Sequence, residues 1–193
     1  MQKATTSQKD IAVDILHSAF EPIQEENLIN EMVIHDEKRS ERIRILMEFL
    51  VEDCLRSGEV LLSDNNSACI LTKYSDANTF DLWKLKWYIK IALKCTGLKK
   101  ASGILKRQSS LKKYHVKERY IHPVIMGARN EVNGKGIGVR LIKQLIDHYS
   151  ENTLPVIIET TTAANKRIYE HFGFTAFKTI QDKDFPIYFL RMN

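Results

Sequence analysis

The glycine-rich turn at residues 133–138 constrains the fold of this chain more than any other feature. A buried strand over 120–128 is predicted before it, and an amphipathic helix follows, with Ile137, Leu141 and Leu145 on one face. A strand, a glycine turn and a helix in this order bring free backbone N–H groups and the positive end of a helix dipole to one point. That arrangement binds phosphate groups, and the alternative is a tight turn without a ligand.

Two common phosphate-binding loops fit this turn poorly. A Walker A loop requires Ser or Thr directly after its Gly-Lys pair, and Gly136 stands at that position. A dinucleotide-binding turn requires a third glycine where the chain has Val139. Glu159 follows near the spacing of a ribose-binding acid, but the remaining chain is too short for a doubly wound sheet. A nicotinamide-dependent enzyme is therefore disfavoured.

A third interpretation rests on two motifs taken together. The turn Asn133-Gly134-Lys135-Gly136-Ile137-Gly138 resembles the acetyl-CoA loop of the GNAT superfamily of N-acetyltransferases, Gln/Arg-x-x-Gly-x-Gly/Ala, with Asn133 in place of the usual Gln or Arg. The segment Asn165-x-x-x-Tyr169-x-x-x-Gly173-Phe174 matches the family's following helix in order and spacing. The resemblance implies an α/β (α+β) fold: a single domain with a central mixed, mostly antiparallel sheet, splayed strands and helices on both faces.

The resemblance also implies acetyl-CoA as co-substrate and no metal. In this family the pantetheine pairs with the exposed edge of a splayed strand beside a bulge, which Gly127 is expected to form. The loop amides hold the pyrophosphate, helped by Lys135 or Arg140. The expected cofactor contacts are Met126, Ala128, Asn133, Gly134, Lys135, Gly136, Ile137, Gly138 and Asn165.

By the same resemblance, Tyr169 is the expected general acid toward the CoA sulfur, since a phenol with a pKa of ~10 is protonated at neutral pH. Its alternative role is core packing on the inner helix face. His122 and Glu159, on the two strands that flank the turn and its helix, are the candidate general bases. Both have purely structural alternatives, and a water relay could replace them. No cysteine falls in a matched motif, so direct attack of the amine in a ternary complex is expected.

Residues 81–119 stand out by their charge. They include twelve Lys or Arg and two acids, a local charge of +10, whereas the whole chain has a net charge of +5. We interpret residues 79–119 as a basic helical insertion before the cofactor-binding half of a single domain spanning 1–193. Its lysines are solvated around core helices that contain Trp83 and Trp87, or steer an acidic substrate or the CoA phosphates, or form an amphipathic surface for membrane or nucleic acid.

The remaining elements follow from periodicity and from helix and turn signals. Helices are predicted over 24–35, 39–56, 79–96, 101–113 and 163–172, and strands over 59–63, 68–74, 154–160, 174–180 and 185–191.

Composition narrows the function classes further. Cys54, Cys69 and Cys95 are widely spaced and show no metal-ligand pattern, which disfavours a disulfide framework or a zinc site and favours a cytoplasmic protein. No apolar run reaches the length of a membrane span, and no nucleic-acid-binding motif is present. The sequence thus predicts an N-acetyltransferase that acts on an amine of a small molecule or peptide. The rival classes are a non-catalytic acyl-CoA-binding module and a lipid- or nucleic-acid-binding protein working through residues 81–119.

Overall fold

The computed structural model describes residues 1–25, 27–77, 81–132, 136–182 and 185–193. In these ranges the strands are β1 (Gln2–Lys3), β2 (Gly58–Leu62), β3 (Ala68–Tyr74), β4 (Ile121–Ala128), β5 (Val156–Thr160), β6 (Thr175–Asp182) and β7 (Phe185–Met192). The α-helices are α1 (Lys9–Phe20), α2 (Leu28–Glu31), α3 (Arg39–Ser57), α4 (Leu82–Ile91), α5 (Leu98–Leu111), α6 (Ile137–Tyr149) and α7 (Ala163–His171). A π-helical turn, Ala92–Thr96, continues α4.

The described strands join one sheet in the order β1-β2-β3-β4-β5-β7-β6. Neighbouring strands are antiparallel except β4 and β5, which run parallel. The predicted mixed, mostly antiparallel sheet is therefore confirmed. A parallel pair needs a crossover, which α6 supplies, so the glycine turn follows the end of β4 in the middle of the sheet.

The two parallel strands separate almost as soon as they meet. Their ladder consists of the single pair Ile121–Val156, and beside it the Ile121 N–H donates to the carbonyl of Pro155 at 2.9 Å. Beyond Ile121, β4 remains paired with β3 along its other edge as far as Ala128. The predicted splay is confirmed, and it leaves one edge of β4 without a strand partner over most of its length.

The irregularity in β4 lies at Val124, and the prediction that Gly127 forms the bulge is wrong. Leu71 pairs with Ile125 while Thr72 pairs with Pro123, so Val124 is the extra residue and Gly127 stays in register with Cys69. The absence of a side chain at Gly127 serves close packing instead. A Cβ there would lie 2.9 Å from the Ala19 Cβ of α1.

Helices cover both faces of the sheet, as predicted. On one, here called the α1/α3 face, α1 and α3 pack against inward residues of β2 and β3 such as Val60 and Leu71. On the opposite α6/α7 face, α6 and α7 pack against residues that include Leu61 and Ile70. Neighbouring residues along a strand point to opposite faces, which is why Val60 and Leu61 enter different cores.

The predicted helix over 24–35 is mostly wrong, because only Leu28–Glu31 is helical. Asn27 caps it by accepting from the N–H groups of Ile29 and Asn30. The helix ends because the Ile34 N–H donates to the Cys95 carbonyl at 2.8 Å instead of to the preceding turn. A tertiary contact with the insertion thus overrides the local helical preference.

The insertion begins on the α1/α3 face. Trp83 and Trp87 of α4 pack on Phe49 of α3, with ring centroids 6.0 and 5.8 Å apart. The two tryptophans are half-buried and pack against the core of this face instead of lying within it.

The insertion then runs toward the far edge of the sheet. Arg107 of α5 pairs with both Glu31 and Asp182 of β6. Past the end of α5, the Tyr114 ring lies 6.1 Å from that of Phe189 on β7. The insertion therefore spans this face from α3 to β7. Within the described ranges, no helix is both long and apolar enough to cross a membrane.

Candidate active site at the splayed strands

The phosphate-binding turn is seen from its second half onward. Asn133, Gly134 and Lys135 lie outside the described residues. Gly136 is exposed, has φ +67° and caps the N-terminus of α6, a backbone conformation that favours glycine. No atom lies within 4 Å of the position that a Cβ would take on Gly136 or Gly138. Gly136 thus begins a 13-residue helix whose first amides lie at its positive end.

Met126 and Ala128 lie on the part of β4 whose edge toward β5 has no ladder partner. Their backbone groups are the ones that the resemblance assigns to the pantetheine. Both side chains point into the core of the α6/α7 face. The strand edge and the N-terminus of α6 are joined through the glycine turn, so the two predicted contact regions for acetyl-CoA are contiguous along the chain.

Tyr169 is buried in the core of the α6/α7 face, with 8% of its surface exposed. Thr162 begins α7 by accepting from the Asn165 N–H at 3.2 Å, and this places Tyr169 on the inner side of the helix. Its ring packs edge-on against Phe174 at 5.7 Å. Asn165 lies exposed in the first turn of the same helix.

No hydrogen bond joins the Tyr169 hydroxyl to a described residue, and this hydroxyl is not one of the fully buried side-chain atoms that lack a partner. Burial raises the pKa of Tyr169 to about 12, so the phenol carries its proton at any physiological pH. A phenol that keeps its proton can donate it to a group that enters its vicinity. The ring of Tyr169 also packs in this core, so the position serves both the predicted acid role and its packing alternative.

His122 and Glu159 meet across the splay. His122 follows Ile121, where the β4–β5 ladder ends, and Glu159 is on β5. The His122 Nε2 lies 3.5 Å from the Glu159 Oε1. Both predicted bases are therefore neighbours, and their side chains bridge two strands whose backbones have separated.

A third group, His115, completes this polar cluster, and the sequence analysis missed it. The His115 Nε2 lies 2.7 Å from the Glu159 Oε1. Because an ionised carboxylate can only accept, His115 donates from Nε2, and its Nδ1 is hydrogen-bonded to the Tyr120 hydroxyl. His115 belongs to an irregular segment after α5 with no periodicity or motif, so no sequence signal could have paired it with Glu159.

The titration of the cluster follows from its burial and its internal contacts. Burial lowers the pKa of His122 below its ordinary value, and this outweighs the opposing effect of the Glu159 charge. For Glu159, burial raises the pKa, but the His115 hydrogen bond and the charges of both histidines together bring it below the ordinary value. Burial and the Glu159 charge raise the pKa of Tyr120 to about 12. At neutral pH the cluster thus combines a neutral His122 with an ionised Glu159.

Charged neighbours extend the cluster beneath α4. Lys73 is the cross-strand partner of His122 and pairs with the buried carboxylate of Asp53 on α3. Lys84 of α4, itself buried, lies 3.4 Å from the other oxygen of Asp53. The sequence analysis counted Lys84 with the solvated lysines, and the structure corrects this.

The candidate acid and the candidate bases lie on opposite faces of the sheet. Ile121, Val156 and Tyr169 share the core of the α6/α7 face. His122 directly follows Ile121 along β4, and Glu159 is an odd number of residues from Val156 along β5, so their side chains point to the α1/α3 face. A continuous sheet would separate such groups, whereas β4 and β5 are paired here only at Ile121–Val156.

Sequence comparison finds no matching family model and no matching curated protein. Solved structures do match over nearly the full chain. A histone acetyltransferase HPA2 and related acetyltransferase from Corynebacterium glutamicum is 17% identical with a TM-score of 0.68, covering 98% of this chain and 93% of that one. Arylalkylamine N-acetyltransferase 2 from Aedes aegypti is 14% identical with a TM-score of 0.63, covering 99% and 96%.

A third match is the polyamine N-acetyltransferase of Drosophila melanogaster. It is 13% identical, has a TM-score of 0.55 and covers 100% of this chain and 98% of that one. Identities this low establish the fold and not the substrate. The parallel pair that splays at Ile121, the helix that begins at Gly136 and these likenesses agree: the chain has the fold of the GNAT N-acetyltransferases.

Proposed function

We propose that this chain is an N-acetyltransferase that transfers the acetyl group of acetyl-CoA to a primary amine of a small molecule or peptide. The proposal rests on the splay between β4 and β5. The protonated phenol of Tyr169 lies on one side of the sheet, and the neutral imidazole of His122 lies beside the Glu159 carboxylate on the other. In this proposal all of 1–193 acts as one domain, with 79–119 as its insertion. The structural neighbours described above, which act on amines, support the same reaction class.

The cofactor contacts in this proposal come mainly from the backbone. The unpaired edge of β4 at Met126 and Ala128 offers N–H and C=O groups to the amides of a pantetheine. The amides of Gly136, Ile137 and Gly138 are free to hold a pyrophosphate at the helix end. Asn133, Gly134 and Lys135, outside the described residues, remain predicted members of the same loop, and Asn165 remains a predicted contact on α7.

The base in this proposal is His122. Its lowered pKa keeps it neutral at pH 7, so it can accept the proton that the amine loses as nitrogen bonds to the thioester carbon. The adjacent Glu159 carboxylate stabilises the imidazolium that results. Glu159 itself is a weaker base, because its own pKa is lowered.

The acid in this proposal is Tyr169. As the carbon–sulfur bond breaks, the sulfur gains the phenolic proton, and solvent restores the proton balance once products leave. The amine attacks the thioester directly, without an acyl-enzyme. The three cysteines do not offer a nucleophile, since all are buried and burial raises the pKa of each thiol.

The test is calorimetric titration of the protein with acetyl-CoA. We expect saturable binding to the wild type, and loss of binding in Gly136→Asp, whose carboxylate repels the pyrophosphate. Asp tolerates a positive φ better than most residues, so the turn itself should persist. Gly103→Asp is the matched control, since Gly103 on α5 also has no neighbour within 4 Å. Absence of binding in the folded wild type would contradict the proposal.

Binding then leads to an acetylation screen over amines. The panel includes arylalkylamines, polyamines and agmatine, the compounds named for the structural neighbours. Turnover of any amine, abolished by Tyr169→Phe, supports the enzyme. Tight binding of acetyl-CoA with no turnover of any primary amine, small or peptidic, would favour the non-catalytic acyl-CoA-binding module.

A further inference from the structure

Helix α4 is apolar on two sides, one packed on the core and one exposed. Large apolar side chains on α4 and just after it are 40 to 77% exposed, and we call this set the leucine row: Leu82, Leu85, Ile89, Leu93 and Leu98. Steps of three and four residues place the first four members on one face of the helix. Lys84 of the same helix is instead buried, at 5% exposure, beside Asp53.

The leucine row is not needed to hold the insertion in place. The opposite face of α4 makes that contact, through Trp83 and Trp87 on Phe49 and through the buried Ile91. Scattered exposed apolar residues are ordinary on protein surfaces, but a contiguous row of them marks an interaction site.

Lysines border the leucine row. Along one side of the row, lysines recur at four-residue steps: Lys86, Lys90 and Lys94. Two more, Lys99 and Lys100, directly follow Leu98, and all five lysines are exposed. Only Lys90 makes an ion pair, with Glu48 at 3.3 Å, among the described contacts of these five. The row therefore combines an apolar face with a largely uncompensated positive border.

We propose that the leucine row is a docking surface for an anionic lipid bilayer, with α4 lying in the plane of the membrane interface. An exposed apolar face bordered by lysines is the composition of helices that bind there. The lysines reach anionic headgroups while the leucines enter the acyl boundary. A second copy of the chain docked through the same row would oppose lysines to lysines, and nucleic acid offers no apolar counterpart to the leucines.

The first experiment measures vesicle binding by energy transfer. Both tryptophans of the chain lie on α4, so transfer to dansyl-labelled lipid reports the approach of this helix. We expect transfer with phosphatidylcholine vesicles containing phosphatidylserine, and at least tenfold weaker binding to phosphatidylcholine alone. Raising the salt from ~0.1 to ~0.5 M should weaken binding, because the Debye length shortens. Absence of binding to anionic vesicles overturns the proposal.

Two pairs of variants separate the contributions. Leu85→Gln/Ile89→Gln/Leu93→Gln should weaken vesicle binding at least tenfold, whereas Phe177→Gln, at an exposed apolar position on β6, should leave it unchanged. Lys86→Gln/Lys94→Gln should weaken it about 25-fold, at about fivefold per lysine. The charge-matched control is Lys143→Gln/Lys178→Gln on α6 and β6. An equal loss in the controls overturns the proposal.

Sedimentation velocity completes the test. A concentration-dependent dimer that the triple Gln variant abolishes would assign the leucine row to self-association and overturn the lipid proposal. Polyglutamate bound as tightly as vesicles, with no effect of the triple variant, would assign the lysines to an acidic polypeptide and also overturn it. A monomer that binds only anionic vesicles supports the proposal. None of these variants alters a proposed acetyl-transfer residue, so failure here leaves the acetyltransferase proposal untouched.

Discussion

The two faces of the sheet differ in chemistry although helices cover both. On the α6/α7 face, Tyr169 is a protonated phenol that forms no hydrogen bond with a described residue, while the polar group Tyr149–Thr72–Glu59 lies elsewhere in the same layer. The α1/α3 face carries paired, titratable groups, with His122 and Glu159 at the splay and Asp53, Lys73 and Lys84 behind them. In the proposed reaction the acid and the base therefore lie on opposite faces of the sheet, near the strand pair whose ladder ends at Ile121–Val156.

The largest expected effect comes from Tyr169→Phe. General acid catalysis contributes about 10²- to 10⁴-fold, so turnover should fall by that factor while acetyl-CoA binding persists. Stability should change little, because no described residue bonds to the hydroxyl. The readouts are kcat and calorimetric affinity.

Tyr149→Phe is the matched control on the same face. Its hydroxyl lies 2.7 Å from Thr72 Oγ1 and 3.2 Å from a Glu59 carboxylate oxygen. This variant should lose about 1 kcal/mol of unfolding free energy and keep its turnover. If Tyr169→Phe behaves like Tyr149→Phe, Tyr169 is a packing residue and the assigned difference between the faces fails.

The second-largest expected effect concerns the two histidines on the α1/α3 face. His122→Gln should lower kcat/KM about 100-fold near neutral pH, because it removes the proton acceptor. His115→Gln should cost only about tenfold, since His115 acts through Glu159. A larger loss of kcat/KM in His115→Gln than in His122→Gln would identify His115 as the general base. The pH dependence of kcat/KM distinguishes the two histidines, because only loss of the general base removes the fall in kcat/KM at acid pH.

A smaller effect tests how closely α1 packs beside the splay. Gly127→Ala should cost about 1–3 kcal/mol of unfolding free energy, since its Cβ would lie 2.9 Å from Ala19 and 3.3 Å from Leu16. Gly138→Ala, with nothing within 4 Å, should gain up to about 1 kcal/mol as a helical position. Urea unfolding measures both. Equal and small effects would show that α1 yields at this contact.

The smallest effect is the pH dependence of stability. His122 has a pKa lowered from 6.5, so the unfolded chain binds its proton more readily and acid favours unfolding. Glu159, lowered from 4.5, acts in the same direction at lower pH. The free energy of unfolding should fall from pH ~7 toward pH ~4, by at most about 1.4 kcal/mol per unit and group.

Urea titrations across this range give the slope. His122→Gln should reduce the dependence of the unfolding free energy on pH in the range just below pH 6.5. The control His171→Gln, at an exposed position on α7, should leave this dependence unchanged. A wild-type slope of the opposite sign would show that the cluster is stabilised by protonation.

The C-terminal third was predictable from sequence because its constraints are local. Each of its local features depends on a few neighbouring residues. Examples are the positive φ at Gly136, the helix cap at Thr162 and the extended strand β7. The α/β class was predicted from the order of strands and helices, and the splay from the resemblance to the GNAT superfamily. The contact between His122 and Glu159 was not predicted.

The parts that escaped prediction depend on distant contacts. His115 reaches Glu159 from an irregular segment, and α2 is cut short by a backbone bond to Cys95. The burial of Lys84 depends on Asp53 on another helix, which its place in a lysine-rich segment does not indicate. In each case the deciding partner is remote in sequence, so composition and periodicity contain no trace of it.

Helix α5 buries none of its residues, and it is attached to the rest of the fold through the ion pairs of Arg107 with Glu31 and Asp182. Apolar contacts hold a helix until the whole protein unfolds, whereas an ionic attachment can release locally and close again. The segment after α5 has contacts of its own, because the Tyr114 and His115 rings both pack against Phe189. Rising ionic strength should therefore loosen α5 before it loosens the segment that carries His115.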